Sequence, residues 1–576
     1  MERRRHFIYP HAAGSSLIKP HMITKVVSQI RPLCTHPGLW LALGMGLALK
    51  IILLATDSVS FHSDEAVLGL MARHILQGHR PIFFYGQLYM GALDAYLIAA
   101  SFAIFGQTVL AIRLVQVVLY LTTLGTTYGL AWRITHNRFA ATTAALLFAI
   151  PPVMVSVYTT ATLGDYQEIL LLNNLIFWLV WDIFDGKKQR GAWWFLAGIL
   201  AGLGWWSLAL IIVSLAPLTL QGLWHFRRKL PFGKIAVLLL GFLMGAAPWV
   251  YAVADHGPSA ILNAQSRPES QEDSLAETDL EGSATQVIRL ISLLLFNLPS
   301  LFGLKPSWSI DWIAPLIGIP LVMIHILILW GFVRRVLARK EAVFIQMAFT
   351  SILIGSLALM FTFVMFPSGG DPTGRYILPL YPLLAILTGE WISHQRQQST
   401  RPYRTWLTSG LLILLLGYNL WGNVRSIRDN PPGLTTQFSE ISDIPNSDDD
   451  ALIDFLDSIG VDRGYTSYWV SYRFAFLTHE RILLVPLLPY KEDLSYGEVD
   501  NRYPAYVEKV TQADEVVYVT ANHPELDRQL RERFAALQVN FDEKPIGRFT
   551  IFYHLSRHVA PQELRPFETP NEESAN

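Results

Sequence analysis

The residues best suited to chemistry come in short clusters. Asp64 and Glu65 stand side by side in Ser60-Phe-His-Ser-Asp-Glu-Ala66, directly after the first long apolar run. Val67, Leu70, Met71 and Ile75 then fall on one face of a 3.6-residue repeat. A helix of that kind at a membrane exit lies in the interface with its apolar side down. Its two carboxylates sit at its N-terminal end, just above the headgroups, where an acceptor dissolved in water meets a donor dissolved in lipid. The same position suits plain capping: Ser63 or Asp64 is a good N-cap, and acids in a first turn are favoured by about 0.3–1 kcal/mol. Spacing alone leaves capping and catalysis both open.

Three further clusters pose similar choices. Asp165 and Glu168, in Gly164-Asp-Tyr-Gln-Glu168, share one face of a helix that begins at Gly164, and either cap it or act on a ligand. In Gly369-Gly-Asp-Pro-Thr-Gly374-Arg375-Tyr376, glycines permit close backbone approach and Arg375 offers a planar fork for phosphate oxygens. Arg375 and Tyr376 fit equally as interfacial anchors. Tyr85-Gly-Gln87-Leu-Tyr89 offers stacking faces and hydrogen bonds suited to a sugar, or belt aromatics in the headgroup region. His62, Asp64 and Glu65 are too close in sequence to hold one ion easily. There is no nucleophile elbow, phosphate loop or dinucleotide fingerprint.

The elements that must position these groups are membrane helices. Of 576 residues, 52% are hydrophobic and only 16% are charged, against about 25% in soluble domains. Repeated apolar runs of about 20 residues mark a polytopic α-helical membrane protein. The net charge of -1 and the lack of a basic, aromatic-interleaved patch argue against a nucleic-acid partner. A single cysteine, Cys34, precludes an internal disulfide. Hydropathy and the charge rule give about 11 spans, with the basic segment 1–37 in the cytosol. The membrane domain runs over 38–421, and interfacial helices occupy its first outer loop, 57–108.

The expected spans are 38–55, 109–131, 139–158, 169–181, 193–206, 208–224, 235–254, 313–333, 344–366, 377–390 and 406–421. Those over 193–206 and 208–224 are expected to form a hairpin. The apolar run 287–304 is read as interfacial or re-entrant, because counting it as a span would put Arg334, Arg335, Arg339 and Lys340 outside. Lys50, within the first span, is expected to snorkel to the headgroups or to face a lipid phosphate. Asp64, Asp165 and Arg375 then share the outer side with everything after Gly422. Residues 422–560 read as a small extracytoplasmic α/β domain, with helices over 451–459 and 524–537 and strands over 481–488, 515–520 and 549–554. The tail, 561–576, reads as disordered.

At these residues the chain resembles the GT-C superfamily, in the branch of the protein O-mannosyltransferases and aminoarabinose transferases. The resemblance is carried by Asp64-Glu65-Ala66, by Ser101-Phe-Ala-Ile-Phe-Gly106 ahead of Arg113, by the Asp165–Glu168 loop and by Gly374-Arg375-Tyr376-Ile-Leu-Pro379. It covers residues 40–391; beyond it, the stretch 464–473 looks like a feature of some bacterial members. The resemblance implies a GT-C fold in a bacterial plasma membrane of the cell envelope. It also implies inverting transfer of a hexosyl or pentosyl group from a polyprenyl-phosphate-linked sugar to a glycan, lipid or protein acceptor at the outer face. Asp64 would be the general base, assisted or shaped by Glu65. Arg375 and Tyr376 would hold the phosphate, and Asp165 or Glu168 would position sugar or acceptor. Many relatives carry Lys-Pro-Pro where this chain has Tyr85-Gly-Gln87-Leu-Tyr89, so either Lys305 or Arg289 is expected to compensate or the donor differs. Some relatives bind a divalent metal ion and some do not, which leaves metal dependence open. A lipid-linked-sugar transporter and a non-catalytic glycan-binding membrane protein are the alternatives.

Overall fold

The computed structural model describes residues 36–257, 283–337, 371–398, 402–430 and 433–567. The basic segment 1–35, the acidic stretch 258–281, the expected span 344–366, residues 367–370 and the end of the tail, 568–576, lie outside the described residues. Among the described residues, six helices are long and apolar enough to cross a membrane, or seven if one bent pair counts as a span. The count of about 11 does not stand on these helices alone, because several expected spans are short or broken. The run over 139–158 breaks after Ala149 at Pro151-Pro152 and resumes as Val153–Tyr158. The carbonyls freed by that break are taken up by Asn419, which donates to Ile150 O (2.9 Å), and by Asn423, which donates to Pro151 O (2.9 Å). Irregular backbone at membrane depth survives only with such partners. The run over 235–254 bends by 69° between Phe232–Gly245 and Ala247–His256. The stretch 283–301 forms a short helix, a π turn and a last helical turn.

The expected hairpin of 193–206 with 208–224 is not the packing observed. The Gly191–Ser207 helix lies instead against Phe232–Gly245. A Cβ at Gly198 or Gly202 would stand 2.0 or 2.1 Å from the Leu238 or Phe242 carbonyl oxygen. At Gly241 or Gly245 it would stand 2.2 Å from the Phe195 or Ile199 oxygen. Two Gly-x-x-x-Gly faces thus bring the backbones into contact, the usual device where no water drives helices together. The Ile212–His225 helix packs on Tyr166–Phe184, with Ser214 Oγ bonded to Asn173 Oδ1.

The outer-loop helices Ser63–Leu76 and Leu93–Phe105 form as the periodicity indicates. They share one hydrophobic core with the C-terminal domain, in which Val67, Leu68 and Met71 meet Phe102, Ile112, Val470 and Phe476. The expectation that Ser63–Leu76 lays its apolar side on the membrane is therefore corrected: Val67, Leu70 and Met71 are buried within the protein, in the core shared with the C-terminal domain. The domain carries a five-stranded sheet of order β2-β1-β3-β5-β4. Its strands are β1 Arg463–Thr466, β2 Leu483–Pro486, β3 Val517–Ala521, β4 Asp542–Ile546 and β5 Phe549–Tyr553. β2, β1 and β3 run parallel, and β5 and β4 pair antiparallel at one side. β1, β4 and the Tyr468–Leu477 helix are additions to the elements expected from sequence. The tail needs a correction: Pro561–Leu564 is helical and Leu564 is fully buried, so 561–567 belongs to the folded domain. Lys50 needs another. It does not snorkel but is buried, donating to Thr159 Oγ1 (2.7 Å) and Thr160 Oγ1 (2.6 Å) with its ammonium 4.4 Å from the Tyr120 ring centre.

Candidate active site

The first-turn chemistry of the Ser63–Leu76 helix separates its two acids. His62 is the N-cap, and its imidazole accepts the Asp64 N–H (3.2 Å). Capping therefore does not use the Asp64 carboxylate, which accepts a hydrogen bond from the Tyr468 hydroxyl and lines an open cavity of about 780 Å³. Glu65 points elsewhere and is fully buried. It pairs with Arg113 and accepts the Thr162 N–H (2.9 Å), and Arg113 also donates to Val59 O (3.2 Å) and Ser60 O (3.3 Å). Glu65 is thus a tie between the outer-loop helix, the second span and the Thr162 loop. It is not among the cavity residues.

Arg375 reaches the same cavity from the membrane side. Asp371 shapes its loop: one carboxylate oxygen accepts the Thr373 N–H (2.7 Å), and the other lies 2.6 Å from Arg375 Nε. Asn297 donates to the Asp371 carbonyl (3.0 Å) and ties the loop to the π turn. Tyr376 stands beside the guanidinium, its hydroxyl accepting from Arg375 Nη2 (3.3 Å), and is not itself a cavity residue.

Of the other candidates, Gln87 alone lines the cavity. With its amide assigned in the orientation that matches its neighbours, the oxygen accepts from the Tyr89 hydroxyl (3.1 Å) and from both Nη atoms of Arg502 (2.7 Å each). Tyr85 lies outside, bonded to His74 Nδ1 (2.9 Å) and stacked on Tyr503 at 4.9 Å, in the seam with the C-terminal domain. Lys305 is buried away from the cavity, its ammonium donating to Pro306 O and Ser309 O (2.9 Å each). Burial pushes that amine down to about 7, with the charge of Asp371 opposing.

Asp165 and Glu168 are buried in a pocket of their own with Asp94, ligand oxygens of the three lying within 4.8 Å of one another. Asp165 does not cap its own helix. With φ at +53° it turns outward, and its Oδ1 accepts the Asp94 N–H (2.9 Å) at the start of the Leu93–Phe105 helix. Asp94 accepts in turn from Gln116 Nε2 (3.2 and 3.4 Å). Burial first, then neighbouring negative charge, pushes Asp94 up to about 7 and holds Asp165 well above the usual carboxylate range. Among the described residues the Glu168 carboxylate has no N–H or O–H donor beyond its own backbone, which leaves it to a proton shared with Asp94 or to a cation. Three clustered oxygens suit a hard divalent ion. Tyr166, between Asp165 and Glu168 in sequence, lines the cavity, so the cluster stands directly behind its wall.

Phe84, Met90, Tyr158 and Leu163 complete the membrane side of the lining; the C-terminal domain adds Tyr468 and Trp469 after β1, Tyr490 after β2, then Asp500 and Arg502, at and beyond the carboxyl ends of its parallel strands. Ligands of open parallel sheets bind at that edge. Burial pushes Asp500 up to about 6, with Arg502 opposing. Tyr468 and Trp469 fall in the stretch 464–473 singled out from sequence, though without a role, whereas Tyr490, Asp500 and Arg502 escaped sequence reading because they are ordinary residues more than 400 positions from Asp64. The one available signal for this part of the lining was the run Tyr465-Thr-Ser-Tyr468-Trp469, too aromatic for an exposed loop.

Residues 92–251 match the family model described as dolichyl-phosphate-mannose-protein mannosyltransferase. No curated protein sequence matches the chain. Among solved structures, ArnT from Cupriavidus metallidurans bound to undecaprenyl phosphate superposes with a TM-score of 0.51 at 14% identity, covering 90% of this chain and 98% of that one. Its apo form gives a TM-score of 0.52 at 14% identity, covering 91% and 98%. The chain thus shares the fold of ArnT along nine-tenths of its length, and the family match runs from the Leu93–Phe105 helix through the helices that follow it.

Proposed function

We propose that the protein is a glycosyltransferase that moves a sugar from a polyprenyl-phosphate-linked donor to a hydroxyl acceptor, with inversion, at the extracytoplasmic face of a bacterial plasma membrane. The observation that carries this reading is the meeting of Asp64 and Arg375 on one cavity, between the membrane helices and the α/β domain. The undecaprenyl phosphate bound by ArnT, whose architecture this chain shares, supports a lipid phosphate as the donor's carrier.

The residues divide the reaction between them. The acceptor oxygen bonds to the anomeric carbon from the face opposite the phosphate while its proton passes to the Asp64 carboxylate. The bond from that carbon to the phosphate oxygen breaks, its electron pair leaves on the lipid phosphate, and Arg375 meets the added negative charge. Tyr468 holds Asp64 in place from above. Asp94, Asp165 and Glu168 would hold a divalent cation, whose charge would neutralise the cluster behind Tyr166 and steady that wall for sugar or acceptor.

The test is transfer of labelled sugar from polyprenyl-phosphate-linked donors by the purified protein in detergent, with undecaprenyl phosphate binding measured alongside. Wild type is expected to bind the lipid phosphate and to turn over with one donor class. Arg375→Ala should weaken that binding by about 10- to 100-fold, the worth of a charge-assisted pair. An unchanged dissociation constant in Arg375→Ala would return that residue to membrane anchoring.

A further inference from the structure

Arg502 has no counterpart in the sequence motifs, yet it is the second guanidinium on the cavity. The α/β domain delivers it by a compact turn: its N–H donates to Asp500 O (2.9 Å), and the next residue, Tyr503, donates its N–H to the Tyr472 hydroxyl (3.1 Å). The side chain is 8% exposed. Gln87 fixes the fork by accepting from both Nη atoms, and the guanidinium lies 5.3 Å from the Tyr468 ring centre and 5.8 Å from that of Phe84. Gly86 makes this approach feasible. At φ +74° it takes a left-handed turn, and a Cβ there would sit 3.1 Å from Arg502 Cα and 3.0 Å from its Cδ. The outer membrane loop and the domain are therefore shaped to each other around this one side chain.

We propose that Arg502 binds the donor's phosphate together with Arg375, so that the α/β domain forms part of the donor site. This rests on the lipid-phosphate reading above. A planar guanidinium held at a poorly hydrated wall is the side chain best matched to phosphate oxygens, and its charge-assisted bonds strengthen as water is excluded. Tyr468 connects the two halves of the site. Its ring lies against Arg502 and its hydroxyl donates to Asp64, so the phosphate's partner and the acceptor's base rest on one residue. Of the cavity residues that the first outer loop contributes, Asp64, Phe84, Gln87 and Met90, none is a cation, and Gln87 presents Arg502 there in place of a charge of its own. Lys305, held by two backbone carbonyls away from the cavity, does not supply that charge.

The experiment uses the full-length protein in detergent with undecaprenyl phosphate as the probe, comparing wild type, Arg502→Gln and Arg502→Lys. Arg502→Gln is expected to weaken binding by about 10- to 100-fold and to raise the KM for donor while leaving that for acceptor unchanged. Arg502→Lys, which keeps the charge and loses the fork, should recover part of the binding. A purely structural role for Arg502 would make Arg502→Lys as poor as Arg502→Gln and lower kcat without changing lipid binding, which overturns the proposal. So does a rise confined to the KM for acceptor. Failure of wild type itself to bind undecaprenyl phosphate would remove the donor reading. Equal binding by wild type and Arg502→Gln would remove only the assignment of Arg502.

Discussion

Asp64 follows a histidine whose imidazole already serves the helix terminus, so its carboxylate remains available to the cavity. Its neighbour has the opposite fate. Glu65 is fully buried against Arg113, and a buried ion pair stripped of one partner costs about 3–5 kcal/mol, because the other charge is left uncompensated. Glu65→Gln, which keeps the shape and the acceptor for Thr162, is accordingly expected to destabilise the protein by roughly 3 kcal/mol. It should lower the thermal midpoint in detergent while leaving the KM for donor unchanged in the folded fraction. An unaltered midpoint with lost turnover would instead move Glu65 into the chemistry. Adjacency in sequence made these two acids look like a functional pair. A helix sends successive side chains about 100° apart, and only the position of Arg113, 48 residues on, decides which acid is structural.

At the scale of elements, the buried carboxylates tie together two helix starts. Asp165 serves the N-terminus of Leu93–Phe105, where positive dipole ends favour an anion, and Asp94 and Glu168 crowd against it. Asp94, held at about 7, keeps its proton in the folded state to a pH at which the unfolded chain, with the usual value near 3.8, has lost it. Its contribution to stability is thus fully present below about pH 4 and is lost as pH rises through about 7. Between pH 6 and 8, without divalent ions, wild type is expected to lose roughly 1 kcal/mol more than Asp94→Asn. The check is denaturation at both pH values; a difference of the opposite sign would contradict the account. Lys305, whose depressed pKa works in the other direction, cancels in that comparison.

Periodicity made the outer-loop helix legible, and apolar length did the same for the first, second and last described spans, because both patterns are local. The broken spans were harder. Pro151-Pro152 is visible in sequence, but whether a membrane tolerates the break depends on Asn419 and Asn423 reaching back from a helix far along the chain. The pairing through Gly198, Gly202, Gly241 and Gly245 was not anticipated, since small residues state a distance and not a partner.

For the whole molecule, the membrane part and the α/β domain share a core and a cavity. The sequence shows the domain as a change of composition after Gly422 and so suggests an appendage. The structure instead sets Tyr468, Trp469, Asp500 and Arg502 against Asp64, Gln87 and Arg375. Long-range contacts of this kind leave little trace in local pattern. They explain why Asp64, Gln87 and Arg375 could be picked out as candidates from local sequence while Tyr490, Asp500 and Arg502 could not. They also explain why Tyr85, in the same aromatic run as Gln87, turns out to brace the seam.

The central claim is that Asp64 takes the acceptor's proton at a cavity where the donor is held by other groups. Single-turnover transfer of labelled sugar by Asp64→Asn, with undecaprenyl phosphate binding measured on the same preparation, tests it most directly. The account predicts binding within about twofold of wild type and a rate lowered by about 100-fold or more, the usual worth of a general base. Wild-type turnover in Asp64→Asn, with the lipid still bound, would contradict it.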